Sequence, residues 1–160
     1  MILTPLIGFV FLCIVLLLTA SSFFLDRFLG LPEYISKPFN TLLCLPFLVG
    51  GTFLWLWCLW IFLKNNGTPV PLNPPPKLIT NGPYAYSRNP MMTGLFMIMT
   101  GTGIFFGSMT LTFVMTPMFV LISILEFKSI EEPELEKRFG DTYVAYRKKT
   151  PIIIPKIHSK

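Results

Sequence analysis

Residues 89–125, Asn89-Pro90-Met91-Met92-Thr93-Gly94-Leu95-Phe96-Met97-Ile98-Met99-Thr100-Gly101-Thr102-Gly103-Ile104-Phe105-Phe106-Gly107-Ser108 and onward to Leu125, contain no Asp, Glu, Lys or Arg. One helix over all 37 residues would measure about 55 Å, nearly twice a bilayer's hydrocarbon core. Gly107-Ser108 offers a break near the middle, which predicts a tight hairpin of two short arms, 91–107 and 109–126. Two further charge-free runs precede it. Leu3–Leu25 begins too long and without a preceding basic residue to read as a signal peptide, and Phe39–Leu63 carries Trp55, Trp57 and Trp60 toward its far end, where an interface suits them. The expectation is an all-α polytopic membrane protein of four transmembrane helices, spans 3–25, 39–63, 91–107 and 109–126. A loop of residues 64–90 and a helical C-terminal tail of residues 127–160 complete a single membrane domain.

Composition agrees. Hydrophobic residues make up 52% of the 160 and charged residues 13%, about half the usual soluble share, so lipid is the expected solvent for most of the surface. Four spans place loop and tail on one side with eleven Lys and Arg, against Arg27 and Lys37 on the other. That bias makes both termini cytoplasmic. Cys13, Cys44 and Cys58 stand singly and His158 is the sole histidine, so no metal site is expected. The net charge of +5 comes without an aromatic-interleaved basic stripe, which excludes nucleic acid as the natural partner.

Polar chemistry collects in two blocks. The loop holds a proline run from Pro69 to Pro76, either a spacer or a rigid strap, then Lys77-Leu78-Ile79-Thr80-Asn81-Gly82-Pro83-Tyr84-Ala85-Tyr86-Ser87-Arg88-Asn89-Pro90. Arg88 reads as a snorkelling interface residue or as an anion holder, and Pro90 suits a first helical turn. The tail holds Glu131-Glu132. Ser129 with Glu132 fits a capping box, Gly140 a helix stop, and Asp141–Lys149 a second short helix with Tyr143 and Tyr146 on one side. Acidic residues on the positive side oppose simple anchoring, so Glu131 and Glu132 are expected to face Arg88, while Glu134 and Glu136 are read as solvated. Gly101, Gly103 and Gly107 strip one helix face of side chains, for close packing or for a ligand's approach.

Together the blocks resemble the integral-membrane methyltransferases typified by isoprenylcysteine carboxyl methyltransferase, through Leu78–Met92 and through Glu131-Glu132 with Arg138-Phe139-Gly140-Asp141-Thr142-Tyr143-Val144-Ala145-Tyr146 and Thr150-Pro151. The resemblance implies S-adenosylmethionine bound beside the last two spans and covered by the tail. By position, the implied cofactor contacts are Lys77, Leu78, Ile79, Tyr84, Asn89, Pro90, Met91, Met92 and Glu131. The related phospholipid N-methyltransferases pair Gly-x-Gly with Glu-Glu, which adds Gly101 and Gly103. Three positions depart from the pattern. Asn89 stands where His is frequent, Met92 where Tyr is frequent, and Phe127 where the prenylcysteine enzymes place an arginine associated with the substrate carboxylate.

Methyl transfer from a sulfonium is an in-line displacement that needs neither metal nor covalent enzyme intermediate. Carboxylate and aromatic faces from Glu131, Tyr84 and Tyr86 suit a cationic donor. Arg88 can hold a carboxylate, and Glu132 is the one tail residue nominated as a general base. The expected activity is S-adenosylmethionine-dependent methylation of a lipophilic, isoprenoid-like or lipid acceptor, small or lipid-linked, at the cytoplasmic face of the membrane. A nicotinamide-dependent membrane reductase of related fold and a non-catalytic small membrane protein are the alternatives. The sequence does not specify an oligomeric state.

Overall fold

The computed structural model describes residues 3–67 and 75–153, with side chains from residue 13 onward. Most of the proline run (68–74) and the end of the chain, with Pro155 and His158, lie outside the described residues. The described residues form helices and turns without a strand.

The first helix, α1, is Leu3–Phe28, and α2 is Phe39–Lys64. α3, Pro90–Phe106, ends on Gly107 at φ 64°, a left-handed position that glycine adopts without strain. The break falls where the sequence predicts it. Beyond it α4 runs from Leu111 to Phe139 as one rod of 29 residues, about 44 Å long. It carries two π-helical turns, Leu111–Met115 and Phe127–Glu131. The helix continues past residue 126 without a break, which corrects one expectation: Ser129 caps nothing, because it lies inside the second π turn of a continuous helix. Gly140, at φ 54°, does end α4, and α5 follows over Asp141–Lys149.

Packing explains why such apolar rods associate. Cys44, Gly51 and Cys58 repeat every seven residues, two helical turns, and form a buried stripe on α2. Opposite them lies Gly94 of α3. A Cβ added to Gly51 would stand 2.7 Å from the Gly94 carbonyl oxygen, and one added to Gly94 would stand 2.9 Å from that of Gly51. The two backbones therefore touch, which only glycine permits. Val15, Phe96, Met99, Leu111 and Phe119 fill the centre among α1, α3 and α4.

Large apolar side chains point outward instead: Leu17 and Phe24 on α1, Leu42, Val49 and Phe53 on α2, Leu121 and Leu125 on α4 are all more than 60% exposed. An apolar surface this extensive is stable only in lipid. Among the described residues, α2 and α4 are long and apolar enough to cross a bilayer, and α3 is apolar but shorter. This is a membrane protein. The charge-free part of α4 ends at Leu125, so Glu126–Phe139 projects past the apolar zone together with α5.

Candidate functional site

The polar residues gather at one end of the bundle, where α2 ends, α3 begins and α4 projects. A 3-10 turn, Gly82–Ala85, drops Tyr84 into a pocket of Cys58, Ile61 and Ile79, with Phe62 edge-on to its ring at 5.7 Å and Met91 alongside. Gly82 is needed here at φ 60°, since its Cβ position lies 3.0 Å from the Ile61 Cδ1. Three of the expected contacts, Ile79, Tyr84 and Met91, thus meet in one cluster. Leu78 is half-buried and Lys77 is exposed.

The loop is fastened by the chain's end. The Arg88 amide donates to the Pro151 carbonyl at 2.8 Å and the Asn89 amide to that of Ile152 at 3.0 Å, while the Ser87 hydroxyl also donates to Ile152 at 2.6 Å. Tyr146 of α5 donates its hydroxyl to the Tyr84 carbonyl at 2.6 Å. On the opposite flank Arg138 donates to the Pro75 carbonyl at 2.9 Å. Asn89 caps α3, its side-chain oxygen accepting from the Met92 amide at 3.3 Å, with Pro90 in the first turn. Met92 packs against the central core instead of the Tyr84 cluster.

Arg88 pairs with Glu132 through a short hydrogen-bonded ion pair whose side chains are 9% and 12% exposed. The guanidinium lies over the Phe127 ring, 5.9 Å from its centre. Arg147 of α5 approaches the other Glu132 oxygen at 3.9 Å and pairs with Glu136 at 2.8 Å, so Glu136 is not the freely solvated residue expected from sequence. Glu134 is exposed as expected. Glu132 was expected as a general base. Both its oxygens face guanidinium groups, and it stands here as the partner of Arg88.

Two buried polar atoms in this network, Arg88 Nε and the Tyr143 hydroxyl, lack a well-formed hydrogen bond among the described residues, although the two side chains lie within reach of each other. Burial pushes the Tyr143 hydroxyl up, offset in part by the Arg88 charge beside it. The Tyr84 hydroxyl is pushed far above the ordinary phenol value, chiefly by burial, with Cys58, Tyr146 and the Glu131 carboxylate adding to it. Glu131 therefore lies within electrostatic reach of Tyr84. Its own carboxyl is pushed up to about 7, first by burial and then by Glu126 and Glu134. No cation pairs with Glu131 among the described residues.

Not every expected residue joins this end. Tyr86 is exposed. Gly101 and Gly103 lie more than two turns along α3, where added Cβ atoms would meet Phe47 and Leu48 of α2, or Thr112 of α4. Their bare faces are occupied by protein. Sequence reading missed Arg147 and the carbonyls of Pro151 and Ile152; a helix of mixed charge and a Thr-Pro extended segment gave no signal for either.

A lipid-embedded helical bundle with a buried ionic network and an unpaired carboxylate at one end defines the class of polytopic membrane proteins with a polar site at the interface. Residues 39–142 match the family described as phospholipid methyltransferase, and the chain belongs to that family. It is also similar to the protein-S-isoprenylcysteine O-methyltransferase of Schizosaccharomyces pombe, 41% identical over 83 residues, which are 50% of this chain and 34% of that protein. The structure of a eukaryotic intramembrane Ras methyltransferase, isoprenylcysteine carboxyl methyltransferase, shares the fold with a TM-score of 0.64 at 23% identity, over 91% of this chain and 52% of the other. The chain thus spans about a third of the one relative and half of the other.

Proposed function

We propose that the chain is an S-adenosylmethionine-dependent methyltransferase that modifies a lipophilic acceptor at the membrane surface. Family membership over residues 39–142 supports methyl transfer, and the observation that carries the site is Glu131, a half-buried carboxylate without a cation beside the buried Tyr84. A sulfonium donor fits such a place, because it supplies the missing positive charge and can rest against aromatic and apolar faces. When bound, S-adenosylmethionine supplies an activated methyl group for in-line displacement.

Glu131 and Tyr84 would hold the positive end of the donor, with Ile79 and Met91 forming the apolar wall. The Arg88 guanidinium would hold a carboxylate on the donor. Lys77, Leu78 and Asn89 would frame the rim, Pro90 and Met92 would support it from the buried side, and Gly101 and Gly103 allow the close helix packing beyond it. The Arg88–Glu132 pair fixes the loop against α4, so that Tyr84 and Glu131 keep their spacing. α5 and residues 150–152, fastened to the loop by hydrogen bonds, would cover the bound donor.

In this reading four helices cross the bilayer, both termini are cytoplasmic and the acceptor arrives laterally from lipid. The isoprenylcysteine named for the relatives is one such acceptor. Incubating membranes containing the chain with methyl-labelled donor and a lipid extract tests the proposal. Label in the organic phase is expected, and its loss in Glu131→Ala protein that still inserts. Label unaffected by Glu131→Ala and Arg88→Ala would reject the site, and absence of transfer to every lipid fraction would reject the activity.

A further inference from the structure

The opposite end of the bundle holds a cavity of about 660 Å³, within the range of ligand pockets. It lies between the last turns of α1, the α1–α2 connection and the turn between α3 and α4, about 24 Å along α3 from Arg88 and Glu132. Phe23, Leu31 and Phe106 line its apolar part, with the largely exposed Phe24 at its open rim, and Asp26, Arg27 and Glu33 form its charged part. These three groups are not equivalent. Asp26 is satisfied by the protein: Ser108 and the Thr110 hydroxyl donate to it, and so does the Thr110 amide at 3.0 Å. Arg27 and Glu33 are exposed, line the same space, and among the described residues have neither an ion pair nor a side-chain hydrogen bond.

The surroundings fix this arrangement. The Glu33 stem lies against Gly107, whose Cβ position would be 3.0 Å from Glu33 Cβ, and neighbouring Tyr34 bonds Thr112 at 3.1 Å. With Asp26 taken up by its three donors, the charges left facing the cavity are one cation and one carboxylate. A dipolar group satisfies both free charges at once. The phenyl walls then require an attached hydrocarbon, and the cavity sits where the apolar belt of α1 gives way to charge, the depth of a lipid headgroup.

We infer that this cavity binds one zwitterionic glycerophospholipid, its phosphate on Arg27, its ammonium on Glu33 and the upper part of an acyl chain between Phe23, Phe24 and Phe106. The site is separate from the methyl-transfer end and stands or falls without it.

Native mass spectrometry of the detergent-purified chain tests this with phosphatidylcholine, whose fully methylated nitrogen can accept no further methyl, against phosphatidylglycerol and diacylglycerol. One phosphatidylcholine is expected to be retained about tenfold better than either. Arg27→Gln is expected to lower that retention roughly tenfold, Arg27→Lys to restore most of it, and Glu33→Gln to shift the preference toward phosphatidylglycerol. Soluble glycerophosphocholine is expected not to compete, because it lacks the chain. Equal retention of the three lipids, preference for phosphatidylglycerol by the unaltered chain, or unchanged retention in correctly folded Arg27→Gln and Glu33→Gln proteins would overturn the inference.

Discussion

The two ends of this bundle handle charge in different ways. At the projecting end of α4, Arg88, Glu132, Arg147 and Glu136 form a chain of alternating charges, and among the described residues no cation pairs with Glu131. At the other end a single carboxylate, Asp26, is satisfied by hydroxyl and amide donors from Ser108 and Thr110, while Arg27 and Glu33 face an open cavity. An ion pair that reaches across elements holds a removable loop in place. A carboxylate surrounded by local donors only fixes a turn. The first end is therefore the one whose geometry can be tuned to a reaction, and the second is a structural corner with a ligand-sized opening.

Breaking the ion pair gives the sharpest contrast. Glu132→Ala leaves the Arg88 guanidinium buried and uncompensated, and is expected to destabilise the fold by about 3–5 kcal/mol, read by thermal unfolding in detergent. Replacing both partners, Arg88→Met with Glu132→Leu, should recover much of that stability without recovering donor binding. Asp26→Ala is expected to cost about 1–3 kcal/mol by leaving the Ser108 and Thr110 donors unmet, with donor affinity unchanged. If Asp26→Ala instead abolished donor binding, the separation of the two ends would fail.

Smaller effects refine the site itself. Glu131, with its carboxyl pushed up to about 7, ionises as pH rises through neutrality. The ionised form attracts a sulfonium, so donor affinity should increase about tenfold from pH 6 to pH 8. Glu131→Gln should flatten that profile. The stability sign is opposite: this folded carboxyl holds its proton above the ordinary carboxylate value, so its contribution to stability falls as pH rises from that value through about 7. Tyr146→Phe removes the hydrogen bond to the Tyr84 carbonyl and should cost about 1 kcal/mol, detectable as faster amide exchange in residues 82–89.

Much of this architecture is legible in residue types. Gly107 and Gly140 mark helix ends because each adopts a positive φ, and a glycine inside or after an apolar run is the residue that can. The charge-free runs give the apolar helices because hydropathy acts residue by residue. The meeting of Arg88 with the Glu131-Glu132 step could be expected from charge alone. Which glutamate meets it could not. A π turn adds a residue to one helical turn and rotates everything beyond it by about 100°, and Phe127–Glu131 is such a turn just before Glu132. Hydrophobic patterning carries no sign of that insertion, and the same turn carries α4 through Ser129 where a capping box suggested a new start. Long-range backbone bonds such as Arg88 to Pro151 are equally silent, since any residue type can make them.

Equilibrium binding of radiolabelled S-adenosylmethionine to the purified chain at pH 8 addresses the central reading most directly. Saturable binding is expected, weakened about tenfold by Glu131→Gln and unaffected by excess NADPH. A folded chain that binds NADPH saturably and ignores the sulfonium donor, or that binds the donor equally well with Glu131→Gln, would contradict it.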